Sequence, residues 1–105
     1  MFRWYRSLYY SDRMKESPEH LKCRMDKGDF SGNCYLITLA YNGKDYLDIR
    51  PLYTVGHPYL KENMPMIVAA AASRKDAYRL VEKITQDCLQ KTGDVNLRSF
   101  LDGQE

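Results

Sequence analysis

The strongest constraint on the fold is the stretch CYLITLAYNGKDYLDIRP, residues 34–51, in which two β-rich runs flank Asn42 and Gly43. Asparagine followed by glycine is the pair that most readily adopts the positive φ angles of a type I′ turn. The sequence therefore predicts a β-hairpin with a two-residue loop.

The register of this hairpin decides which side chains share a face, because side chains alternate along a strand. A two-residue loop predicts Leu39 opposite Tyr46, Ile37 opposite Asp48 and Tyr35 opposite Arg50. The other face would carry Leu36, Thr38, Leu47 and Ile49, and we expect this aliphatic face to pack on the core. The tyrosine-rich face would then need another cover, since soluble proteins seldom expose so large an apolar patch.

Helix and strand signals flank the hairpin on both sides. Ser17 and Pro18 predict the start of a short helix over residues 18–27. After the hairpin, PMIVAAAASRKDAYRLVEKI predicts a strand over 66–72 that feeds a long helix, with Ser73 as its cap and Gly93 as its end. The aromatic residues 2–12 fit a helix or an extended segment, and the pattern does not decide between them.

The predicted fold class is α+β, with residues 1–105 as one small domain. Its elements follow the order α-β-β-β-α, with a three-stranded, mainly antiparallel sheet between an N-terminal helix and a long C-terminal helix. Residues 1–12 form an aromatic N-terminal segment of uncertain conformation. The four alanines at 69–72 indicate close approach to the backbone, and we interpret this as helix packing rather than ligand contact.

Composition limits the function classes. With 44% hydrophobic and 29% charged residues, the chain is typical of a soluble globular protein. Its longest apolar run is far shorter than the ~20 residues of a membrane span, and no signal peptide is recognisable, so we expect a cytoplasmic protein. The three cysteines are widely spaced, which predicts buried thiols rather than disulfides or a zinc site.

The sequence contains no phosphate-binding loop, dinucleotide fingerprint, nucleophile elbow or zinc-protease motif. His57 could act as a base beside the Cys34 thiol, but nothing in the sequence brings them together, and His20 has only a weak HxxC spacing to Cys23. We therefore expect a non-enzymatic protein without catalytic residues, cofactor or metal.

Charge is distributed unevenly along the chain. Residues 1–27 contain seven Lys or Arg against four Asp or Glu, whereas the rest contains nine against ten. On the long helix, Lys75, Arg79 and Lys83 are spaced by four and form a basic ridge, which Arg74 joins at the start of the helix. Such a ridge is a candidate surface for nucleic-acid phosphates, although acidic residues interrupt it.

Two resemblances follow from these patterns. The predicted order of elements, with basic residues opening the last helix, is similar to the double-stranded RNA-binding domain, but YNGK is shorter than that family's loop and the last helix lacks its lysine cluster. The segments WY…LY, YLITLAYNG, PMIVAAA, LVEKI and KTG…LRSFL, between Trp4 and Leu101, resemble small single-domain bacterial proteins of unknown function. That second resemblance implies no catalytic residue.

These features predict a protein that acts by binding another protein or a second copy of itself. The residues expected to form the interface are the N-terminal aromatics and the tyrosine-rich hairpin face: Trp4, Tyr5, Tyr35, Ile37, Leu39 and Tyr46. The alternative is a nucleic-acid-binding module that uses Arg74, Lys75, Arg79 and Lys83 together with the basic N-terminal region. A third possibility is a small-molecule binder or enzyme with a pocket near the alanine strand and the His57 loop.

Overall fold

The computed structural model describes residues 2–39, 47–56 and 64–93 of the 105-residue chain. In chain order the elements are β1 (Trp4–Tyr10), α1 (Pro18–Asp26), β2 (Tyr35–Leu39), β3 (Leu47–Pro51), a 3-10 helix (Leu52–Gly56), β4 (Ile67–Ala71) and α2 (Arg74–Thr92). The α+β class is confirmed. The predicted three-stranded sheet and the α-β-β-β-α order are wrong, because the N-terminal segment forms a strand.

The four strands that the structure describes form one mixed sheet in the order β1-β4-β2-β3. β2 pairs antiparallel with both β3 and β4, whereas β1 pairs parallel with β4. Within this part of the chain β1 and β3 lie at the two edges and β4 is central.

The N-terminal aromatic segment is extended and forms strand β1. Tyr5 and Tyr9 point to one side of the sheet with their rings stacked, 6.3 Å apart between centroids, while Trp4 and Leu8 pack on the other side. A spacing of four residues is even, so it puts two side chains on the same side of a strand as well as on one side of a helix. That ambiguity is why the sequence left residues 2–12 undecided.

The hairpin has a different register from the predicted one. Leu39 pairs with Leu47, Ile37 with Ile49 and Tyr35 with Pro51, which is a shift of one residue along β3. The predicted turn at Asn42 and Gly43 lies outside the described residues. Because a shift of one residue reverses a strand's faces, Leu47 and Ile49 lie on the same side as Ile37 and Leu39.

Helix α2 covers the sheet face that was expected to be exposed. Ala77, Ile84 and Cys88 pack there against Ile37 and Leu39, which are 0% and 1% exposed. The prediction that this tyrosine-rich face needs a partner or the N-terminal segment as its cover is therefore wrong. The cover is internal, and it is the long helix itself.

Helix α1 and the 3-10 helix cover the opposite face. Leu21 and Met25 of α1 and Leu52 and Val55 of the 3-10 helix are fully buried there, together with Leu36 of β2. Since helices lie on both faces, the central strands are apolar on both sides, which explains the runs LITL and IVAAA.

Three of the four alanines pack beneath the helices as predicted, and the alternation of β4 breaks just before them. Ala69, Ala70 and Ala71 are fully buried, and Ala70 packs on the α1 side while Ala69 and Ala71 pack on the α2 side. The pairing between β2 and β4 shifts between Ile37 and Thr38, so strict alternation along β4 is broken.

Both helices begin and end close to their predicted residues. The Ser17 hydroxyl accepts from the His20 N–H at the start of α1, and the Ser73 hydroxyl accepts from the Asp76 N–H at the start of α2. Gly93, with φ of 72°, ends α2 in the left-handed conformation that favours glycine.

Of the predicted buried thiols, Cys34 and Cys88 are buried, but Cys23 is exposed because it lies on the outer side of α1.

Candidate ligand-binding crevice

After the parallel strands β1 and β4, the chain continues to helices on opposite faces of the sheet. The chain leaves β1 for α1, which packs on one face, and leaves β4 for α2, which packs on the other. In open α/β sheets, such a reversal creates a crevice beyond the carboxyl ends of the two strands, and ligands bind there. The described residues place two cavities at this edge of the sheet.

Ser11, the first residue after β1, fixes the floor of the crevice. Its hydroxyl donates to the Asp76 carboxylate of α2 at 2.8 Å and accepts from the Arg13 N–H at 3.3 Å. Its own N–H donates to the Ala70 carbonyl of β4. These contacts join β1, β4 and α2, and they hold the loop that carries Arg13 at the mouth of the crevice.

The larger cavity lies between this loop and α2 and has a volume of about 440 Å³. Tyr9 and Leu80 form its apolar walls, whereas Tyr10 borders it at the end of β1 with its ring packed on the α1 side of the sheet. Three cationic side chains line it, contributed by Arg13 of the loop and by Arg79 and Lys83 of α2. Arg79 and Lys83 are one helical turn apart, so both side chains reach the same side of α2.

Hydroxyl groups of β1 and of the loop after it hold Asp87 and Asp76 on this side of α2. The Tyr9 hydroxyl donates to Asp87 at 2.6 Å, just as the Ser11 hydroxyl donates to Asp76. Burial and the bond to Asp87 raise the pKa of Tyr9, so it remains a donor at neutral pH. Arg79 lies 4.0 Å from Asp76, at the limit of an ion pair. Within the described part of the chain, the Lys83 ammonium forms no ion pair.

The smaller cavity, of about 280 Å³, lies on the α1 side of the same loop. Arg13 lines this cavity as well, together with Lys15, Glu16 and Arg24. Arg24 forms two bonds to Glu16, at 2.6 and 3.0 Å, and these bonds lower the pKa of the Glu16 carboxyl. The charge of Arg24 is therefore balanced inside the protein, whereas Arg13 and Lys15 are exposed.

A pairing of the Cys34 thiol with His57, which the sequence analysis did not favour, gains no support from the described residues. Cys34 lines the smaller cavity but is buried, and burial raises the pKa of its thiol, which keeps it protonated at neutral pH. His57 lies outside the described residues. These residues also contain no group of three or more His, Cys, Asp or Glu side chains that could hold a metal ion.

The residues predicted for a protein interface do not form one surface. Ile37, Leu39 and Tyr5 are buried, because α2 covers their side of the sheet. Trp4 is half-buried on the α1 side beneath the Lys22 ammonium. Tyr35 is half-buried beneath the Arg74 guanidinium, 5.4 Å from the ring centroid, and Tyr46 lies outside the described residues.

The four residues predicted to bind nucleic acid are all exposed, but they divide between two sides of α2. Arg79 and Lys83 line the larger cavity. Arg74 lies over Tyr35 on the β2 side, where hydroxyls of Tyr78 and Tyr35 accept its hydrogen bonds and raise its pKa. Lys75 lines neither cavity. The structure thus groups half of the predicted ridge with Arg13, a residue of the basic N-terminal region that the sequence analysis did not single out.

Arg13 was missed because the sequence did not identify β1. Once WYRSLYY is assigned as a strand, the polar residues that follow it, Ser11 to Arg13, become the loop at its carboxyl end. That position is a frequent ligand site beside a parallel neighbour, and the sequence pattern gave no sign that β4 is that neighbour.

No helix in the described ranges is long and apolar enough to cross a membrane. The chain matches no protein-family model, no curated protein and no solved structure. The resemblance to small bacterial proteins therefore stays a prediction, and the function has to be inferred from the crevice.

Proposed function

We propose that the protein is a binding module that holds a phosphate-bearing ligand in the larger cavity of the crevice. The observation that carries the proposal is the excess of cations in the larger cavity. Arg13, Arg79 and Lys83 line it with Asp12 and Asp76, and the Asp76 carboxylate already accepts a hydrogen bond from the Ser11 hydroxyl. Guanidinium and ammonium groups are the side chains that bind phosphate oxygens most strongly.

The dimensions of the cavity also favour a small organic phosphate. Its volume of about 440 Å³ lies within the ~300–1,000 Å³ of small-molecule sites. The Tyr9 ring offers surface to a flat organic group, and its hydroxyl is occupied by Asp87. A mononucleotide combines both required parts, a phosphate and a flat ring.

Adenosine 5′-monophosphate is the probe for this proposal. Calorimetry should detect its binding, and a saturating concentration should raise the melting temperature, because ligand at ~100 Kd adds about 2.7 kcal/mol to the stability of the folded state. Arg79→Gln and Lys83→Gln should each weaken binding. Lys27→Gln removes the same charge from an exposed position at the end of α1 and should leave binding unchanged.

Two results would refute the proposal. One is the absence of any heat or melting shift with adenosine monophosphate at low ionic strength. The other is equal loss of binding in Lys83→Gln and Lys27→Gln, which would indicate attraction to the overall charge rather than binding in the cavity.

A second candidate function is protein–protein interaction, through a different surface from the one that the sequence predicted. Tyr78 is 56% exposed and lies beside Arg74 and Tyr35. Tyrosine and arginine are the side chains most often found at the energetic centres of interfaces. If this cluster mediates self-association, Tyr78→Ser should reduce the sedimentation coefficient at high concentration without lowering the melting temperature. A wild-type protein that sediments as a monomer across the concentration range would refute self-association.

A further inference from the structure

The two cavities of the crevice are joined by a shared residue. Arg13 lines both, because it lies at the tip of the loop between them. A hydrogen bond from the Met14 N–H to the Ser11 carbonyl closes this loop into a turn, and the Ser11 hydroxyl accepts from the Arg13 N–H. The position of Arg13 is therefore set by the fold and not only by its long side chain.

Exposed cationic side chains line both cavities. Lys83 and Arg79 line the larger cavity, Arg13 lines both, and Lys15 lines the smaller one. The carboxylates along this path are engaged by Ser11, Tyr9 and Arg24, with the exception of the exposed Asp12. One phosphate would occupy only part of such a path, whereas a chain of phosphates could contact all four cations.

We propose that the crevice binds a single-stranded nucleic acid, with successive phosphates along Lys83, Arg79, Arg13 and Lys15. This inference rests on the proposed function, since it takes the larger cavity as the site of one phosphate and extends the ligand into the smaller one. The ring of Tyr9 favours a nucleic acid over a purely inorganic polyanion, because bases stack on aromatic side chains whatever their identity.

Lys15 distinguishes this inference from the proposed function. It lines the smaller cavity alone, so a mononucleotide in the larger cavity does not reach it. Lys15→Gln should weaken binding of an oligothymidylate of about 10 nucleotides, a length within the range of one small module, and should leave binding of adenosine monophosphate unchanged. Arg13→Gln should weaken both, and Lys27→Gln should affect neither.

The salt dependence supplies a second readout. Four phosphate contacts predict a slope of about −3 in a plot of log K against log salt concentration, from about −0.7 per contact for single strands. Lys15→Gln should make this slope less steep by about 0.7. Fluorescence anisotropy with a labelled oligothymidylate measures both quantities, and thermal melting of each variant verifies that it is folded.

Each other result has a definite meaning. If adenosine monophosphate binds but the oligonucleotide binds no more tightly and Lys15→Gln has no effect, the extended path is wrong and the proposed function stands. If inorganic polyphosphate displaces the oligonucleotide as well as unlabelled oligothymidylate of equal charge does, the bases contribute nothing and the inference of a nucleic acid is wrong. If neither nucleotide ligand binds, both proposals fail together.

Discussion

Ser11 has three structural roles, which its backbone and its side chain share. It continues the pairing of β1 with β4, it donates to a buried carboxylate of α2, and it fixes the turn that presents Arg13. Asp76 accepts this bond and also lies 4.0 Å from Arg79. The affinity of Arg79 for a phosphate therefore depends on the hydrogen bond from the Ser11 hydroxyl to Asp76, because this bond keeps the carboxylate from pairing with Arg79.

Replacing Asp76 by asparagine should strengthen the binding of adenosine monophosphate. The amide oxygen can still accept from Ser11, but the negative charge that competes with the ligand for Arg79 is lost. We expect an increase in affinity of about 1.4- to five-fold, on the scale of an exposed ion pair worth about 0.2–1 kcal/mol. Calorimetry measures the change, and Glu82→Gln, which removes an exposed carboxylate of α2 outside the cavity, is the control. Weaker binding in Asp76→Asn would show that the carboxylate positions Arg79 instead of competing for it.

Replacing Ser11 by alanine should have the opposite effect. The Asp76 carboxylate would lose its internal donor and become available to Arg79, and the turn that holds Arg13 would lose an acceptor. We expect a several-fold loss of affinity for adenosine monophosphate, on the scale of ~1 kcal/mol for one hydrogen bond. In the Asp76→Asn background, Ser11→Ala should cost less affinity than it does in the wild type. If the two effects simply add, the hydroxyl does not act through Asp76.

At the level of elements, the helices were predictable from sequence and the sheet only in part. Serine caps and a terminal glycine have local physical causes, so Ser17, Ser73 and Gly93 identified the helix ends correctly. The pairing of β1 with β4 depends on residues far apart in the chain. No local pattern contains that information, and the crevice exists only because of this pairing.

The hairpin shows how a small error in register changes a functional prediction. Taking Asn42 and Gly43 as the whole loop moved β3 by one residue and separated Leu47 and Ile49 from Ile37 and Leu39. The apolar surface then appeared to be divided between two faces, with one of them unprotected. In the structure these side chains form a single layer under α2, so the inferred interaction surface is part of the core.

This layer leads to a clear expectation for stability. Leu39→Ala should lower the free energy of unfolding by about 2–5 kcal/mol, because it leaves a void beneath α2. Denaturant unfolding measures this loss. Tyr53→Ala, at a position 72% exposed on the 3-10 helix, should change stability by less than about 0.5 kcal/mol. Similar losses in both variants would mean that α2 does not pack on Leu39 in solution.

For the whole molecule, the ion pair between α1 and the preceding loop should make stability sensitive to acid. Arg24 lowers the pKa of Glu16 in the folded state, so the unfolded chain binds a proton more readily. Stability from this group is complete above the ordinary carboxyl pKa of about 4.3 and decreases as the pH falls below it. Glu16→Gln should be less stable than wild type at neutral pH, with the difference narrowing towards pH 3. Thermal melting across this range tests the sign, and a difference that widens on acidification would contradict it.

The parallel pairing of the first strand with a late one also bears on how the chain is made. Trp4 is paired with Ile67, so ribosomal synthesis must add about 60 further residues before β1 can find its neighbour. At ~5–20 residues per second this delay lasts about 3–12 s. During that interval the aromatic segment WYRSLYY has no β4 to pair with. Nascent chains of this protein should therefore be clients of chaperones that bind near the ribosomal exit, and release from them should follow the emergence of β4.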